Sequence, residues 1–129
     1  MSFTRFDERT VFSVAKVFDA GFGAGALSVI TGQLFGSRVD ACYLSNNDVI
    51  DHLVNLVLDD DAGHQVAAGG VNVPSGAGYT SVAIEAIKAL VPTGEDGIVM
   101  AKDFIFEVNI AVAVTLTNQV GVFVAGGHF

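Results

Sequence analysis

The chain is poor in several residue types that usually carry chemistry. It has no tryptophan, two prolines and one cysteine, Cys42, among 129 residues. A single cysteine cannot form an internal disulfide, so the fold does not depend on an oxidising compartment. Cys42 lies in an apolar run without an identifiable basic partner, which predicts a buried structural thiol and not a nucleophile.

Charge is also scarce, and most of it is negative. Charged residues make up 16% of the chain, and 14 acidic against 6 basic residues give a net charge of -8. A surface of this kind repels phosphate, so we expect neither nucleic acid nor an anionic membrane as a partner. With 51% hydrophobic residues, the chain is predicted to cover part of its surface with another subunit. A large core under a surface rich in glycine and alanine is the alternative.

Long apolar runs are missing as well. No uncharged apolar run approaches 18 residues, which argues against a transmembrane helix. The first ten residues are polar and mixed in charge, unlike a signal peptide, so we expect a product that is made and retained in the cytoplasm unless it leaves by lysis or by a dedicated route. Residues 1–9 are predicted to form an N-terminal arm, with a frayed terminus as the alternative, and residues 10–129 a single domain.

The strongest positive signal is an alternation of large apolar residues between Phe104 and Val114. The alternation resumes between Val120 and Val124, after a turn-prone stretch around Asn118. A period of two places the large side chains on one face of a strand. The pattern predicts two long antiparallel strands joined by a tight connection and pressed against a second layer.

Further strands are predicted upstream of this pair. Residues 49–58 fit a helix or a strand equally well, but turn-forming residues at both ends favour a strand. Gly69 and Gly70 indicate a bulge. The other strand predictions cover residues 10–18, 26–34, 38–45, 65–73 and 98–100.

One helix is predicted over residues 81–90, with Ser81 as its cap and Pro92 ending it. Many short strands separated by Gly, Asn and Asp turns are typical of sandwiches and jelly rolls. The sequence therefore predicts a mainly β fold, an antiparallel β-sandwich or jelly roll with one short helix in a crossover.

Two motifs resemble ligand sites. Residues 21–26 match the G-x-G-x-x-[GA] pattern of dinucleotide sites, but the β-branched residues that follow make a poor helix, so a turn is preferred. Asp51 with Asp59, Asp60 and Asp61 could offer oxygen ligands to calcium. They lack the alternation of an EF-hand, so a solvated turn is preferred there too.

The histidines His52, His64 and His128 are too dispersed to form a metal set, and each is expected at the surface or in a turn. No G-x-S-x-G elbow occurs. The residues therefore predict no catalytic, cofactor-binding or metal site, and a chain that is not an enzyme. A soluble ligand-binding or carbohydrate-binding sandwich is weakened by the lack of tryptophan, because sugar sites usually offer exposed aromatic platforms.

A longer pattern runs from residue 38 to the end of the chain. It comprises the strand at 38–45, the turn at 46–48, the strand at 49–58, the segment 71–78, the helix at 82–90, the strand beginning at Gly97 and Ile98, Lys102 with Asp103, and the closing residues 122–129. This order resembles small jelly-roll virion proteins of tailed bacteriophages, of the head-decoration or cement type.

The resemblance implies a structural role in a virion. Copies of the domain would assemble with each other, with a trimer as the expected oligomer, and would bind the major capsid protein or another virion protein. It carries over no functional residues and implies no cofactor. A neck or tail component remains an alternative, beside the ligand-binding sandwich.

Overall fold

A computed structural model describes residues 11–90 and 97–129, apart from the side chains of residues 89 and 90. Most of these residues lie in strands, and one short helix is present. The strands are β1 (Val11–Asp19), β2 (Gly25–Thr31), β3 (Ser37–Asn46), β4 (His52–Asp59), β5 (Gln65–Val73), β6 (Ile84–Glu85), β7 (Ile98–Met100), β8 (Ile105–Ile110) and β9 (Gln119–His128), and the helix is α1 (Ala86–Leu90).

The strands form two antiparallel sheets. Sheet A has the order β1-β9-β3-β6, and β7 also pairs with β3, while sheet B has the order β2-β8-β4-β5. The pairs β1 with β9, β2 with β8, β3 with β7 and β4 with β5 are nested within one another along the chain. A long hairpin rolled up in this way gives the jelly-roll topology. The predicted antiparallel sandwich is confirmed.

The core lies between the two sheets and follows from the alternation of side chains. In β3, Val39, Cys42 and Leu44 point inward, and in β4 Val54 and Leu56 do so, all fully buried. The change from odd to even positions in β3 comes from a register shift between Val39 and Ala41. The remaining large buried side chains come from most of the other strands and include Phe18, Val73, Met100, Phe106, Val108, Ile110, Val120, Val122 and Val124.

The predicted pairing of the last two strands is wrong. β8 lies in sheet B between β2 and β4, and β9 lies in sheet A between β1 and β3. The chain crosses from one sheet to the other between them, and Val112 is 57% exposed because β8 already ends at Ile110. Alternation of apolar residues shows which face of a strand is buried. The same alternation arises whether the next strand along the chain pairs in the same sheet or lies in the opposite sheet.

The predicted helix is shorter than expected and has a different cap. Ile84 and Glu85 pair with β3 as strand β6, so the helix begins at Ala86. The Glu85 carboxylate accepts hydrogen bonds from the backbone N–H of Lys88 (2.8 Å) and of Cys42 (2.7 Å). Ser81 instead forms a bridge with Ala77. The predicted stop at Pro92 lies outside the described residues.

Two other predictions concern β4 and β5. Residues 52–59 form a strand, which confirms that choice over a helix. The register between β4 and β5 shifts after Leu56, so the bulge falls at Ala68, beside Gly69, whose φ is 146°. The predicted N-terminal arm, residues 1–9, lies outside the described residues.

Candidate functional site: the outer face of sheet A

The outer face of sheet A carries an uncharged surface, which we call the A face. It consists of outward-facing residues from β1, β9 and β3, which alternate with the buried ones. The A face has three adjacent cross-strand rows: Val17, Gly121 and Ser45; Ala15, Phe123 and Tyr43; and Ser13, Ala125 and Ala41. None of these side chains is charged at neutral pH.

Two aromatic rings form a ridge across the middle of the A face. Tyr43 and Phe123 lie opposite each other on β3 and β9, with ring centroids 6.4 Å apart and an interplanar angle of 32°. They are 45% and 42% exposed. The sequence placed both residues on strands, but the reason for their exposure is tertiary, because sheet B covers the opposite face of the sheet.

A groove runs beside the ridge. This depression of about 330 Å³ is lined by the two rings, by Ser45, Gly121 and Gly78, and by Lys16. A Cβ atom at Gly121 would lie 2.6 Å from the Ser45 hydroxyl oxygen, and one at Gly78 would lie 2.8 Å from the Ser45 Cβ. The groove therefore depends on residues without side chains at both positions.

The outer face of sheet B, which we call the B face, mixes charged and amide side chains with apolar ones, and Leu53, next to its rows on β4, is 49% exposed. The three rows of the B face are Ser28, Glu107, Val57 and Ala67; Ala26, Asn109, Asn55 and Gly70; and Thr31, Ile105, Asp59 and Gln65. Glu107 is 7% exposed. Burial raises the pKa of its carboxyl, and the neighbouring Asp59 raises it further.

A buried polar cluster, centred on Asp48, lies in the turn that carries the chain from β3 to β4. Asp48 is 1% exposed. Its carboxylate accepts hydrogen bonds from the Thr115 hydroxyl and backbone N–H (3.1 Å), the Asn118 amide (3.2 Å), the Val49 N–H (2.8 Å) and His52 Nε2 (2.7 Å). Thr115 and Asn118 belong to the connection between β8 and β9, so the cluster ties together two of the connections that cross between the sheets.

The electrostatics of Asp48 follow from these contacts. Burial alone would raise the pKa of this carboxyl, but the hydrogen bonds from Thr115, His52 and Val49 outweigh burial and hold the pKa well below its usual range. Since an ionised carboxylate only accepts hydrogen bonds, His52 Nε2 carries the proton. His52 Nδ1 is buried and has no hydrogen-bond partner among the described residues. We assign the cluster a role in holding the turn.

The motifs considered as ligand sites lie apart from one another. Residues 21–26 end in strand β2, preceded by a turn in which Asp19 accepts a hydrogen bond from the Phe22 N–H (2.8 Å), so no helix follows the glycines. The Asp60 carboxylate lies in the turn between β4 and β5, where it accepts a hydrogen bond from the Ala62 N–H (2.8 Å). Asp51 lies before β4, at the end opposite that turn, where it accepts from the Ser75 N–H (2.9 Å).

The histidine prediction is wrong for His52, which is 1% exposed. The pattern offered no signal for this, because the carboxylate that binds it lies in the preceding turn. His64 is exposed in a turn, as expected, and its Nδ1 lies 2.8 Å from Asp60. His128, half-buried in β9, lies 2.6 Å from the Ser37 hydroxyl. Cys42 is buried as predicted, and burial, with Glu85 nearby, raises the pKa of its thiol to about 12.

The described residues contain no group of three or more His, Cys, Asp or Glu side chains arranged to hold a metal ion. Within the same part of the chain, no helix is long and apolar enough to cross a membrane. Comparisons of the chain with models of protein families, with curated proteins and with solved structures found no match.

Proposed function

We propose that this chain is a non-enzymatic structural subunit of a tailed-bacteriophage virion, which assembles with copies of itself and binds the assembled capsid. The observation that carries the proposal is the A face. An antiparallel sheet that faces water normally carries polar residues on its outer side. Three adjacent rows without a charge, crossed by two exposed aromatic rings, are instead typical of a surface that contacts another protein.

The fold supports the proposal in a weaker way. Jelly rolls build viral capsid domains, but they also occur in lectins and cupins. Fold alone therefore does not assign a function. Exposed aromatic rings such as those of Tyr43 and Phe123 suit a sugar site as well as a protein contact. A sugar or small-molecule site also needs convergent polar groups in a concavity, whereas the groove beside Phe123 is lined largely by apolar and small residues, which favours a protein contact.

The action we propose is stabilisation by selective binding. A subunit that binds only the assembled shell shifts the equilibrium toward that shell by mass action. Many weak contacts repeated over a lattice give a high overall affinity without a large interface at any one contact. The net charge of -8 keeps free copies soluble until they bind.

A carbohydrate-binding module is the second candidate, and the B face favours it. Asn55 and Asn109 lie directly opposite each other on β4 and β8, next to Gly70. Side-chain amides in such a row could pair with sugar hydroxyls, because each amide both donates and accepts hydrogen bonds.

The test is co-sedimentation with capsid shells. The purified full chain is mixed with shells assembled from the major capsid protein encoded in the same genome, and separately with the unassembled capsid protein. We expect saturable binding to shells alone, and a higher melting temperature of the shells that carry the chain. Absence of the chain from sedimented shells, together with binding to a glycan array that Asn55→Ala abolishes, would replace the proposed function by the second candidate.

A further inference from the structure

We propose that the A face binds the A face of a second copy, so that two chains form a dimer with two-fold symmetry. This inference rests on the proposed function and deepens it by naming the partner of this face. It replaces the trimer implied by the resemblance with a pairing of like faces. Three properties of the A face carry it: its charge, its shape and its area.

The negative charge of the chain favours an uncharged surface as the partner of the A face. Two chains with a net charge of -8 each repel one another wherever their acidic surfaces meet. Covering the A face with an acidic surface would also strip water from carboxylates without providing a partner for them. The nine residues of the A face carry no carboxylate, and the ion pair of Arg38 with Asp40 (2.6 Å) lies beyond its last row on β3. Two charged residues adjoin the A face: Lys16 lines the groove, and Glu85 lies opposite Tyr43 on β6. The Glu85 carboxylate already accepts hydrogen bonds from the N–H groups of Cys42 and Lys88. A second A face meets both conditions.

Shape makes the A face complementary to itself. The ridge of Tyr43 and Phe123 lies between two rows of small side chains, and one of these rows lines the groove. Rotation about a two-fold axis beside the ridge brings the rings of each copy over the groove of the other. Aromatic residues seated in a pocket at the centre of an interface are the typical hot spots of protein association. Face-to-face packing of sheets at a separation of about 10 Å is a standard arrangement.

Area sets the expected strength. Three strands about 4.8 Å apart, with rows spaced by about 6.8 Å, make a patch of roughly 15 by 20 Å, or about 300 Å² per copy. A stable interface buries about 800 Å² per partner. The free dimer is therefore expected to be weak, with a dissociation constant near the upper micromolar range, and to gain strength when many copies lie side by side.

The experiment compares two alanines in matching positions. Ala15 and Ala67 both face outward, and both lie on an edge strand, of sheet A and of sheet B respectively. The full chain, Ala15→Glu and Ala67→Glu are compared by sedimentation equilibrium from about 10 to about 500 µM, a range that brackets the expected weak association. We expect dimers of the wild type and of Ala67→Glu. Ala15→Glu should raise the dissociation constant at least tenfold, because it places two like charges in the buried contact.

Folding of each variant is checked by its circular dichroism and melting temperature at low concentration. Ser13→Glu, in the neighbouring row of the same edge strand, repeats the test independently. Raising the salt concentration should strengthen the wild-type dimer, because salt screens the repulsion between the two acidic chains. A monomer at every concentration, a trimer, or a dimer that survives both Ala15→Glu and Ser13→Glu would overturn the inference.

The two proposals fail in different ways. A chain that dimerises through the A face but does not sediment with shells keeps the inference and loses the proposed function. A chain that binds shells as a monomer, with Ala15→Glu binding equally well, keeps the proposed function and loses the inference.

Discussion

The outer faces of the two sheets have the same geometry but differ in charge and in exposed aromatic rings. Both consist of cross-strand rows on antiparallel strands, and both lie over the same core. The B face carries Asp59, Glu107 and a pair of asparagines, as expected for a sheet in contact with water. The A face carries small residues and two aromatic rings.

Packing of the core alone therefore does not determine which residue types occupy the outward-facing positions. Packing of the core does not require alanine at position 15, since Ala15 is exposed and points away from sheet B. The lack of charge on the A face points to a requirement outside the folded monomer. If the two faces differ in what they contact and not only in composition, substitutions on the A face and on the B face should have different consequences.

The largest expected effect lies in the turn between β3 and β4, one of the connections that join the two sheets. Asp48→Ala should lower the free energy of unfolding by about 3 kcal/mol or more, because it leaves the buried donor of His52 and the two donors of Thr115 without their acceptor. Urea unfolding should remain a single transition at a lower midpoint, if sheets A and B unfold together. Separate transitions for the two sheets would mean that the faces belong to independently stable units.

The matched control is Asp51→Ala in the same turn. Asp51 is exposed and accepts one hydrogen bond, from the Ser75 N–H, so its loss should cost about 1 kcal/mol or less. The loss of stability in acid provides a second test of the Asp48 cluster. Because the pKa of Asp48 is lowered in the folded state, its contribution is present above the unfolded pKa of about 3.9 and is lost as the pH falls below it. An equal loss in both variants would contradict the role of the Asp48 cluster.

Much of the fold could be predicted from local patterns. The strands at residues 38–45, 65–73 and 98–100 lie within or close to observed strands, because burial of one face imposes alternation. The choice of strand for residues 49–58 succeeded because turn residues bound that segment at both ends. These signals depend on a few neighbouring residues, which the sequence presents directly.

The remaining features depend on contacts between distant segments. Nothing local distinguishes a hairpin from a crossing between sheets, so β8 and β9 were wrongly paired. The Asp48 cluster joins residues 67 or more positions apart, and Asp48 reads as an ordinary turn residue. The A face required the pairing register of β1, β9 and β3, although low charge did predict a covered surface. Its residues were missed because small residues in strands carry no signal of their own.

The next prediction compares cysteine labelling on the two faces. Ser13 and Ser28 are exposed, face outward and lie on edge strands β1 and β2. Cys42 is buried, and burial raises the pKa of its thiol to about 12. It should therefore not react with a thiol reagent in the native protein. Labelling of Ser13→Cys should slow about tenfold as the protein concentration passes the dissociation constant, because the dimer covers the A face.

Ser28→Cys provides the control, since its labelling rate should be independent of protein concentration. The measurement is the rate of thiol modification with a chromogenic disulfide reagent at fixed reagent concentration. Equal slowing of both variants would indicate non-specific association. Unchanged rates for both would remove the functional difference between the faces and leave only the difference in composition.

The smallest expected effect concerns Glu107 on the B face. Because burial and Asp59 raise the pKa of Glu107 in the folded state, the folded protein binds the proton more tightly than the unfolded chain does. Stability is therefore lost as the pH rises through the folded pKa of Glu107. Glu107→Gln removes this loss and can still donate a hydrogen bond to Asp59. It should raise the free energy of unfolding by up to about 1 kcal/mol at pH 7.5.

The gain from Glu107→Gln should shrink toward zero near pH 4, below the unfolded pKa of about 4.3. Asp59→Asn should reduce the pH dependence without abolishing it, because burial is the larger cause of the shift and Asp59 the smaller. Urea titrations of the three proteins at both pH values provide the measurement. A gain that is equal at the two pH values would assign the effect to packing. A loss at pH 7.5 would mean that the ionised carboxylate stabilises the B face, as it would if that face, and not the A face, were built around a charged partner.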